Sequence, residues 1–152
     1  MTTKNSPPTS WNMKRSVFAV ATGFIVTFVA AIVLALILRS ALPGLYPDFY
    51  TDSPVARASV SGLLLNALSM LIASSGGGYT GALIAGRAPV NHGLAVSVLM
   101  IFVSFAIGSN APAFQPMWYT MILSLAFLLG GGIGGRLRGM QGTRGSRRSE
   151  DA

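Results

Sequence analysis

Residues 17–38 read VFAVATGFIVTFVAAIVLALIL and decide the class of the fold. Fourteen of these 22 residues are Val, Ile, Leu or Phe, and none is charged. Because a helix of about 20 apolar residues crosses the hydrocarbon core of a bilayer, the stretch predicts a transmembrane helix. A cleaved signal peptide is the alternative, but its apolar region is only about 7–15 residues long and ends at a site of small residues. No such site follows this longer stretch, and we interpret it as a retained span.

Two further charge-free segments predict three more spans. Residues 58–86 carry no charge, and neither do residues 88–135, which are too long for one crossing and long enough for two. Charged side chains are costly in hydrocarbon, so such gaps mark membrane segments. Trp118 and Tyr119 stand near the start of the last span, where an aromatic belt lies at a membrane surface. The predicted fold is an all-α integral membrane four-helix bundle, with spans at residues 17–38, 55–85, 92–107 and 116–133.

The composition agrees with a membrane location. The chain of 152 residues is 51% hydrophobic and only 10% charged. An ordinary soluble domain has about a quarter of its residues charged. A soluble nucleic-acid-binding protein or a soluble enzyme is therefore excluded as a class, although the net charge is +7.

The basic residues cluster on one side of the predicted spans, and this asymmetry predicts the orientation. Short segments rich in Lys and Arg stay on the cytoplasmic side of a membrane. Nine basic residues fall on the side of both termini, namely Lys4, Lys14, Arg15, Arg87, Arg136, Arg138, Arg144, Arg147 and Arg148. Only Arg39 and Arg57 fall on the other side, close to Asp48 and Asp52. We therefore expect an N-in/C-in protein with both termini in the cytoplasm.

The second predicted span is unusually polar for a membrane helix. Its interior includes Asn66, Ser74 and Ser75, and three glycines follow at residues 76–78. Lipid is a poor environment for so many polar groups, so we expect this helix to lie centrally in the bundle. The glycines leave two alternatives open, a regular helix on the one hand and a kink or local unwinding on the other.

Small residues recur at every fourth position on three of the predicted helices and are the predicted helix contacts. Close packing of small residues holds a bundle together in lipid, where no hydrophobic drive acts between helices. The predicted contact residues are Gly23, Ala73, Gly77, Gly81, Gly130 and Gly134. The pattern fits packing within one chain, and it also fits a seam between copies in a homo-oligomer.

Residues that carry chemistry in membrane enzymes and proton-coupled transporters are scarce in this sequence. There is no cysteine, and therefore no disulfide, thiolate metal site or thiol nucleophile. The single histidine is His92, and no carboxylate lies within a predicted span, where a proton carrier would be expected. The glycine runs at residues 76–81 and 130–135 lack the Lys-Ser/Thr pair of a phosphate-binding loop. We predict no catalytic residue, no metal and no cofactor.

The turn between the second and third spans carries the most specific local motif. Residues 77–93 read GGYTGALIAGRAPVNHG. Gly86 is expected to end the second helix, Pro89 to block its continuation and Asn91 to cap the third. We interpret Arg87 as an orientation signal that contacts a lipid phosphate. His92 is interpreted as an interfacial residue at a helix start, and a proton, metal or headgroup contact is the alternative.

This motif resembles one in small uncharacterised four-span bacterial membrane proteins. In those proteins Gly-Gly-Tyr or Gly-Gly-Phe leads through small residues to Arg-x-Pro and then His-Gly. They also end in a glycine-rich last helix followed by arginines, as residues 129–138 do in this chain. The resemblance covers residues 77–93 closely and the four-span layout loosely. It implies a bacterial inner-membrane location and supplies no activity.

Both ends of the chain are expected to be unstructured. They comprise an N-terminal segment at residues 1–15 and a basic tail at residues 136–152, which is rich in Gly, Ser and Arg. Arginines in such a tail bind RNA or anionic lipid headgroups. Directly after a span the lipid interpretation is favoured, and no nucleic-acid partner is expected.

Two functional classes remain after these exclusions. The first is a non-catalytic structural or accessory membrane component, either a homo-oligomer or part of a larger membrane complex. The alternative is a channel, a holin-like pore or a transporter for a small solute, lined by Asn66, Ser74 and Ser75. The lack of intramembrane charge and the small-residue pattern favour the first class.

Overall fold

The chain folds into four long helices. A computed structural model describes residues 9–43, 60–108 and 117–148. The helices are α1 (Thr9–Ala41), α2 (Val60–Ala85), α3 (Pro89–Gly108) and α4 (Met117–Arg148), and no strand occurs in the described ranges. Each helix is long and apolar enough to cross a membrane. The prediction of an all-α bundle of four membrane-spanning helices is confirmed.

The two central helices of the bundle are α2 and α3. Each of them contacts the other and both outer helices, whereas α1 and α4 do not touch within the described residues. In cross-section the helices therefore form a rhombus, with α2 and α3 across its short diagonal. Twelve of the 26 residues of α2 are buried. The prediction that the polar second helix lies centrally is confirmed.

Small and polar residues make up most of the buried interior of the bundle, and most large apolar side chains face outward. Ala19 and Ala73 are at most 2% exposed, and Ser74 is fully buried. In contrast, Phe18 is 65% exposed and Phe102 is 72% exposed. This distribution is the one expected when lipid rather than water surrounds a bundle, because close helix approach then provides the stabilisation.

The second helix continues without interruption through its three consecutive glycines. Residues 76–78 are helical, and Gly77 and Gly78 are buried. A glycine inside a helix costs about 1 kcal/mol relative to alanine, and the close approach of neighbouring helices offsets that cost. Of the two alternatives that the sequence left open, the regular helix is therefore the one observed.

Both predicted unstructured ends differ from the structure. Helix α1 begins at Thr9, inside the segment predicted to be unstructured, and α4 continues to Arg148, through most of the predicted tail. A helix propagates at little cost once a span has nucleated it, and arginines near its C-terminal end interact favourably with the helix dipole. The prediction was therefore wrong for residues 9–15 and 136–148. Residues 1–8 and 149–152 lie outside the described residues.

Two residues with left-handed backbone conformations shape the turn between α2 and α3. Gly86 has a φ of 70°, and its N–H donates to the Ala82 carbonyl oxygen at 3.2 Å. The prediction that Gly86 ends the second helix is therefore confirmed. Ala88 has a φ of 41° and precedes Pro89, the first residue of α3. The prediction that Asn91 caps α3 was wrong, because the ring of proline already suits the first helical position two residues earlier.

Candidate functional site

Helices α1 and α2 approach each other closely at two glycines, Gly23 and Gly77. A Cβ atom at Gly23 would lie 2.7 Å from the Gly77 carbonyl oxygen, and one at Gly81 would lie 3.2 Å from the Ala19 carbonyl oxygen. The Thr27 side chain fills the space beside Gly77 and donates its hydroxyl to the Gly23 carbonyl oxygen at 2.9 Å. The small residues of α1 and α2 thus face each other within one chain.

Helix α4 packs against both central helices through its glycines. A Cβ atom at Gly78 would lie 2.7 Å from the Gly131 Cα, which leaves no room for a side chain between α2 and α4. One at Gly130 would lie 2.9 Å from the Ser74 Cβ, and one at Gly134 would lie 2.6 Å from a backbone nitrogen of α2. Gly131 also lies against Gly93 of α3, so this residue contacts two helices at once.

All six helix-contact residues predicted from the sequence are buried in the chain, namely Gly23, Ala73, Gly77, Gly81, Gly130 and Gly134. The fourfold pattern missed Gly78, Gly93 and Gly131, which make equally close contacts. It missed them because α2 and α4 each contact more than one helix, and a single stripe of small residues describes only one side of a helix. Since these residues are enclosed within one chain, a seam between copies would have to use another surface.

Three helices meet at a polar junction, which consists of Ser74 on α2, Ser97 on α3 and the Phe127 carbonyl on α4. The Ser74 hydroxyl donates to the Phe127 carbonyl oxygen at 2.9 Å, and the Ser97 hydroxyl donates to the same oxygen at 2.6 Å. Both serine side chains are fully buried. A buried hydroxyl needs such a partner because an unsatisfied one costs about 1–3 kcal/mol. The junction therefore links α2, α3 and α4 through buried hydrogen bonds.

Asn66 and Tyr119 form a second buried polar contact between α2 and α4. The Asn66 Nδ2 group donates to the Tyr119 hydroxyl oxygen. Tyr119 is 1% exposed and packs in a cluster with Leu63 and Ala67. The interpretation of Tyr119 as a residue of an outward-facing aromatic belt was therefore wrong, whereas its neighbour Trp118 is 39% exposed.

The three residues predicted to line a solute path take part in three separate contacts. Asn66 binds Tyr119, Ser74 belongs to the polar junction, and Ser75 donates to the carbonyl oxygen of Leu71 in its own helix at 2.8 Å. Asn66 and Ser74 are about 12 Å apart along the helix axis, at about 1.5 Å per residue. The polar groups of all three residues are thus engaged by the chain itself.

Basic residues collect at one end of the bundle, which we term the basic end. The start of α1, the α2–α3 turn and the last part of α4 meet there, since Arg15 contacts Ile84 and Gly135 lies against Pro89. Its basic residues whose side chains the structure describes are Lys14, Arg15, Arg87, Arg136 and Arg138. At the opposite end the described residues include only Arg39 as a charged group. All four acidic residues of the sequence lie outside the described ranges.

Two arginines join α1 to the α2–α3 turn in a contact that we term the arginine clasp. The Arg15 Nε group donates to the Ile84 carbonyl oxygen at 2.8 Å, at the C-terminal end of α2, where a cation also interacts favourably with the helix dipole. In the opposite direction, Arg87 Nη2 donates to the Ser16 hydroxyl oxygen at 3.3 Å. A Cβ atom at Gly86 would lie 2.9 Å from Arg15 Nη2, so the clasp and the positive φ both favour glycine there.

Arg87 and His92, predicted from the sequence to lie at the turn between the second and third spans, are at or next to the α2–α3 turn and have different surroundings. Arg87 is exposed and belongs to the arginine clasp. His92 is half-buried in the first turn of α3, and its Nδ1 lies 3.1 Å from the Ala88 carbonyl oxygen. The contribution of Arg15 was not predicted, because its partner Ile84 lies 69 positions away in the sequence.

The last part of α4 is held against the turn beyond the end of α2. A Cβ atom at Gly135 would lie 2.6 Å from the Pro89 carbonyl oxygen, and one at Gly139 would lie 3.3 Å from the Pro89 side chain. The Tyr79 hydroxyl donates to Gln141 Oε1 at 2.7 Å. These contacts explain why residues 136–141 are helical rather than unstructured.

The chemical groups that the fold brings together are suited to holding helices and to binding anions. In the interior they are hydroxyls, an amide and a phenol, which form hydrogen bonds between helices. At the basic end they are guanidinium groups, which bind carboxylates and phosphates. Comparisons of the chain with protein-family models, curated proteins and solved structures find no match.

Proposed function

We propose that this chain is a non-catalytic multi-pass protein of the bacterial inner membrane that serves as a structural or accessory component of a membrane assembly. The observation that carries the proposal is the use of the interior polar groups. Ser74, Ser97 and Asn66 all donate hydrogen bonds to groups on α4. In a membrane such bonds and close glycine contacts hold a bundle together.

The proposed orientation places both termini and the basic end in the cytoplasm. It is supported by the nine basic residues on that side against Arg39 and Arg57 on the other. The proposed location in the bacterial inner membrane is supported by the resemblance of residues 77–93 to the turn of small four-span bacterial proteins.

The lack of cysteine allows this orientation to be measured with single introduced thiols. Asn91→Cys is at the basic end and Leu42→Cys is at the opposite end, and both positions are exposed. In intact spheroplasts a membrane-impermeant maleimide is expected to label Leu42→Cys and not Asn91→Cys. After detergent lysis both variants should react equally. Labelling of Asn91→Cys alone in intact spheroplasts would show the opposite orientation.

A transport function is tested by reconstitution into vesicles. We expect vesicles that contain the purified chain to release an encapsulated ion or small neutral solute no faster than protein-free vesicles. The physical reason is that Asn66 and Ser74 are engaged in contacts between helices.

A structural or accessory role is tested by co-purification. Tagged chain extracted from native membranes in mild detergent should co-purify with a partner in fixed stoichiometry or as a defined homo-oligomer.

The alternative of a channel, holin-like pore or transporter predicts the opposite result. It would replace the proposed function if the vesicles release solute and Asn66→Leu abolishes the release while the helix content is retained. The matched control is Thr80→Val, because Thr80 donates to the Gly76 carbonyl oxygen of its own helix. Loss of release in both variants would indicate unfolding rather than a blocked path.

A further inference from the structure

The arginine clasp orients a guanidinium group at the basic end of the bundle. Arg15 is exposed, and within the described residues its single hydrogen bond runs from Nε to the Ile84 carbonyl oxygen. A guanidinium has further N–H donors on its two terminal nitrogens. One of these nitrogens, Nη2, lies directly over Gly86 in the turn. Among the described residues Arg15 is thus held at one nitrogen, which leaves its terminal nitrogens available to a ligand.

The surroundings of Arg15 favour an anionic ligand. Lys14 precedes it, Arg87 reaches the adjacent Ser16, and Arg136 and Arg138 lie at the same end of the bundle. No Asp or Glu occurs in residues 9–43, 60–108 or 117–148. Guanidinium groups bind phosphate through paired, charge-assisted hydrogen bonds that an ammonium group cannot reproduce. The chemistry of this site therefore fits a phosphate group.

The apolar surface next to Arg15 indicates that the phosphate belongs to a lipid. Val17 and Phe18 are 64% and 65% exposed. Phe18 lies three residues after Arg15 on the same helix, a spacing that makes the two side chains neighbours. A phospholipid carries its phosphate at the depth where a span ends and its acyl chains directly beneath. A single lipid molecule can therefore contact the guanidinium group and the apolar side chains together.

We propose that the arginine clasp is a binding site for the phosphate group of an anionic phospholipid. Arg15 supplies the oriented hydrogen bonds, and Lys14 and Arg87 supply additional positive charge. The bound lipid lies at the contact between α1 and α2, because Arg15 belongs to α1 and its anchor Ile84 belongs to α2. The site depends on the membrane-embedded bundle of the proposed function but not on its partner or orientation.

The proposal is tested by titrating lipids into the purified full-length chain in a neutral detergent and measuring the thermal unfolding midpoint. Dioleoylphosphatidylglycerol is the anionic probe, and dioleoylphosphatidylcholine and inorganic phosphate are the comparisons. We expect a saturable rise of the midpoint with the anionic lipid and little change with the other two. Arg15→Gln should weaken the apparent affinity for the anionic lipid by about fivefold or more. The matched control Arg39→Gln, at the opposite end, should leave the affinity unchanged.

Arg15→Lys separates oriented binding from simple charge attraction. This variant keeps the charge but loses the planar donor array, so we expect it to bind the lipid more weakly than the wild-type chain. The proposal is overturned if Arg15→Gln and Arg39→Gln weaken binding equally, since that result indicates diffuse attraction. It is also overturned if inorganic phosphate stabilises the chain as well as the lipid does. Midpoints without lipid report whether each variant still folds, and the vesicle and co-purification experiments test the proposed function separately.

Discussion

Gly78→Ala and Gly131→Ala are each expected to lower the free energy of unfolding of the bundle by about 2–3 kcal/mol. A Cβ atom at Gly78 would lie 2.7 Å from the Gly131 Cα, and one at Gly131 would meet the Gly93 carbonyl carbon at 3.1 Å. At Gly78 the obstructing atoms belong to the α4 backbone, which cannot rotate aside as a flexible side chain can, and at Gly131 they are the Gly93 backbone and the buried Ser97 hydroxyl. The measurement is reversible unfolding in mixed micelles with increasing sodium dodecyl sulfate, followed by loss of helical circular dichroism.

Two other glycines in the same runs are matched controls for this prediction. A Cβ atom at Gly76 would meet no atom within 4 Å, and one at Gly132 would meet only the Leu94 side chain at 3.8 Å. Gly76→Ala and Gly132→Ala should therefore leave the stability unchanged or raise it slightly, because alanine is the better helix former. Equal destabilisation by Gly76→Ala and Gly78→Ala would contradict the described packing.

Tyr119→Ala is expected to cost about 3–5 kcal/mol, the range typical of removing a large buried ring. The ring is 1% exposed, packs with Leu63 and Ala67, and carries the hydroxyl that accepts a hydrogen bond from Asn66. Removing the ring would leave a cavity between α2 and α4 and would also remove the hydrogen bond with Asn66. The same unfolding titration measures the effect.

Tyr119→Phe and Trp118→Ala separate the two contributions and provide the control. Tyr119→Phe retains the ring and removes the hydroxyl, so we expect a cost of about 0.6–1.7 kcal/mol, from the average to the largest value typical of a hydrogen bond between membrane helices. Trp118 is 39% exposed, and Trp118→Ala should cost less than Tyr119→Ala. A larger loss of stability in Trp118→Ala than in Tyr119→Ala would contradict the burial of Tyr119 in the interior.

The four spans could be predicted because charge is excluded from hydrocarbon, and the gaps between charges therefore mark the helices directly. The ends of α1 and α4 could not be predicted in the same way. Helix is retained at residues 136–141 by contacts such as Gly135 against Pro89 and Tyr79 with Gln141. Such contacts depend on how far one helix is shifted along another, and the apolar pattern carries no information on that shift.

The candidate site was predictable in its residue types and not in its partners. Asn66 and Ser74 stand out in the sequence as polar groups in an apolar segment, but their partners Tyr119 and Phe127 follow from the register between α2 and α4. Ser97 was missed because a single serine in an apolar helix is unremarkable without its neighbours. From the sequence alone these polar residues could line a solute path or join helices. In the structure they form contacts between helices.

The separation between the interior polar groups and their partners determines the order in which the chain can assemble during synthesis. Asn66 and Ser74 each bind a group that lies 53 residues later in the chain. At a translation rate of roughly 5–20 residues per second, α2 exists for several seconds before α4 emerges from the ribosome. During that interval the polar side chains of α2 must be accommodated by water, by the insertion machinery or by transient partners. The strongly apolar α1 needs no such help to enter the bilayer, whereas the interior of the bundle is completed only after the last span has been made.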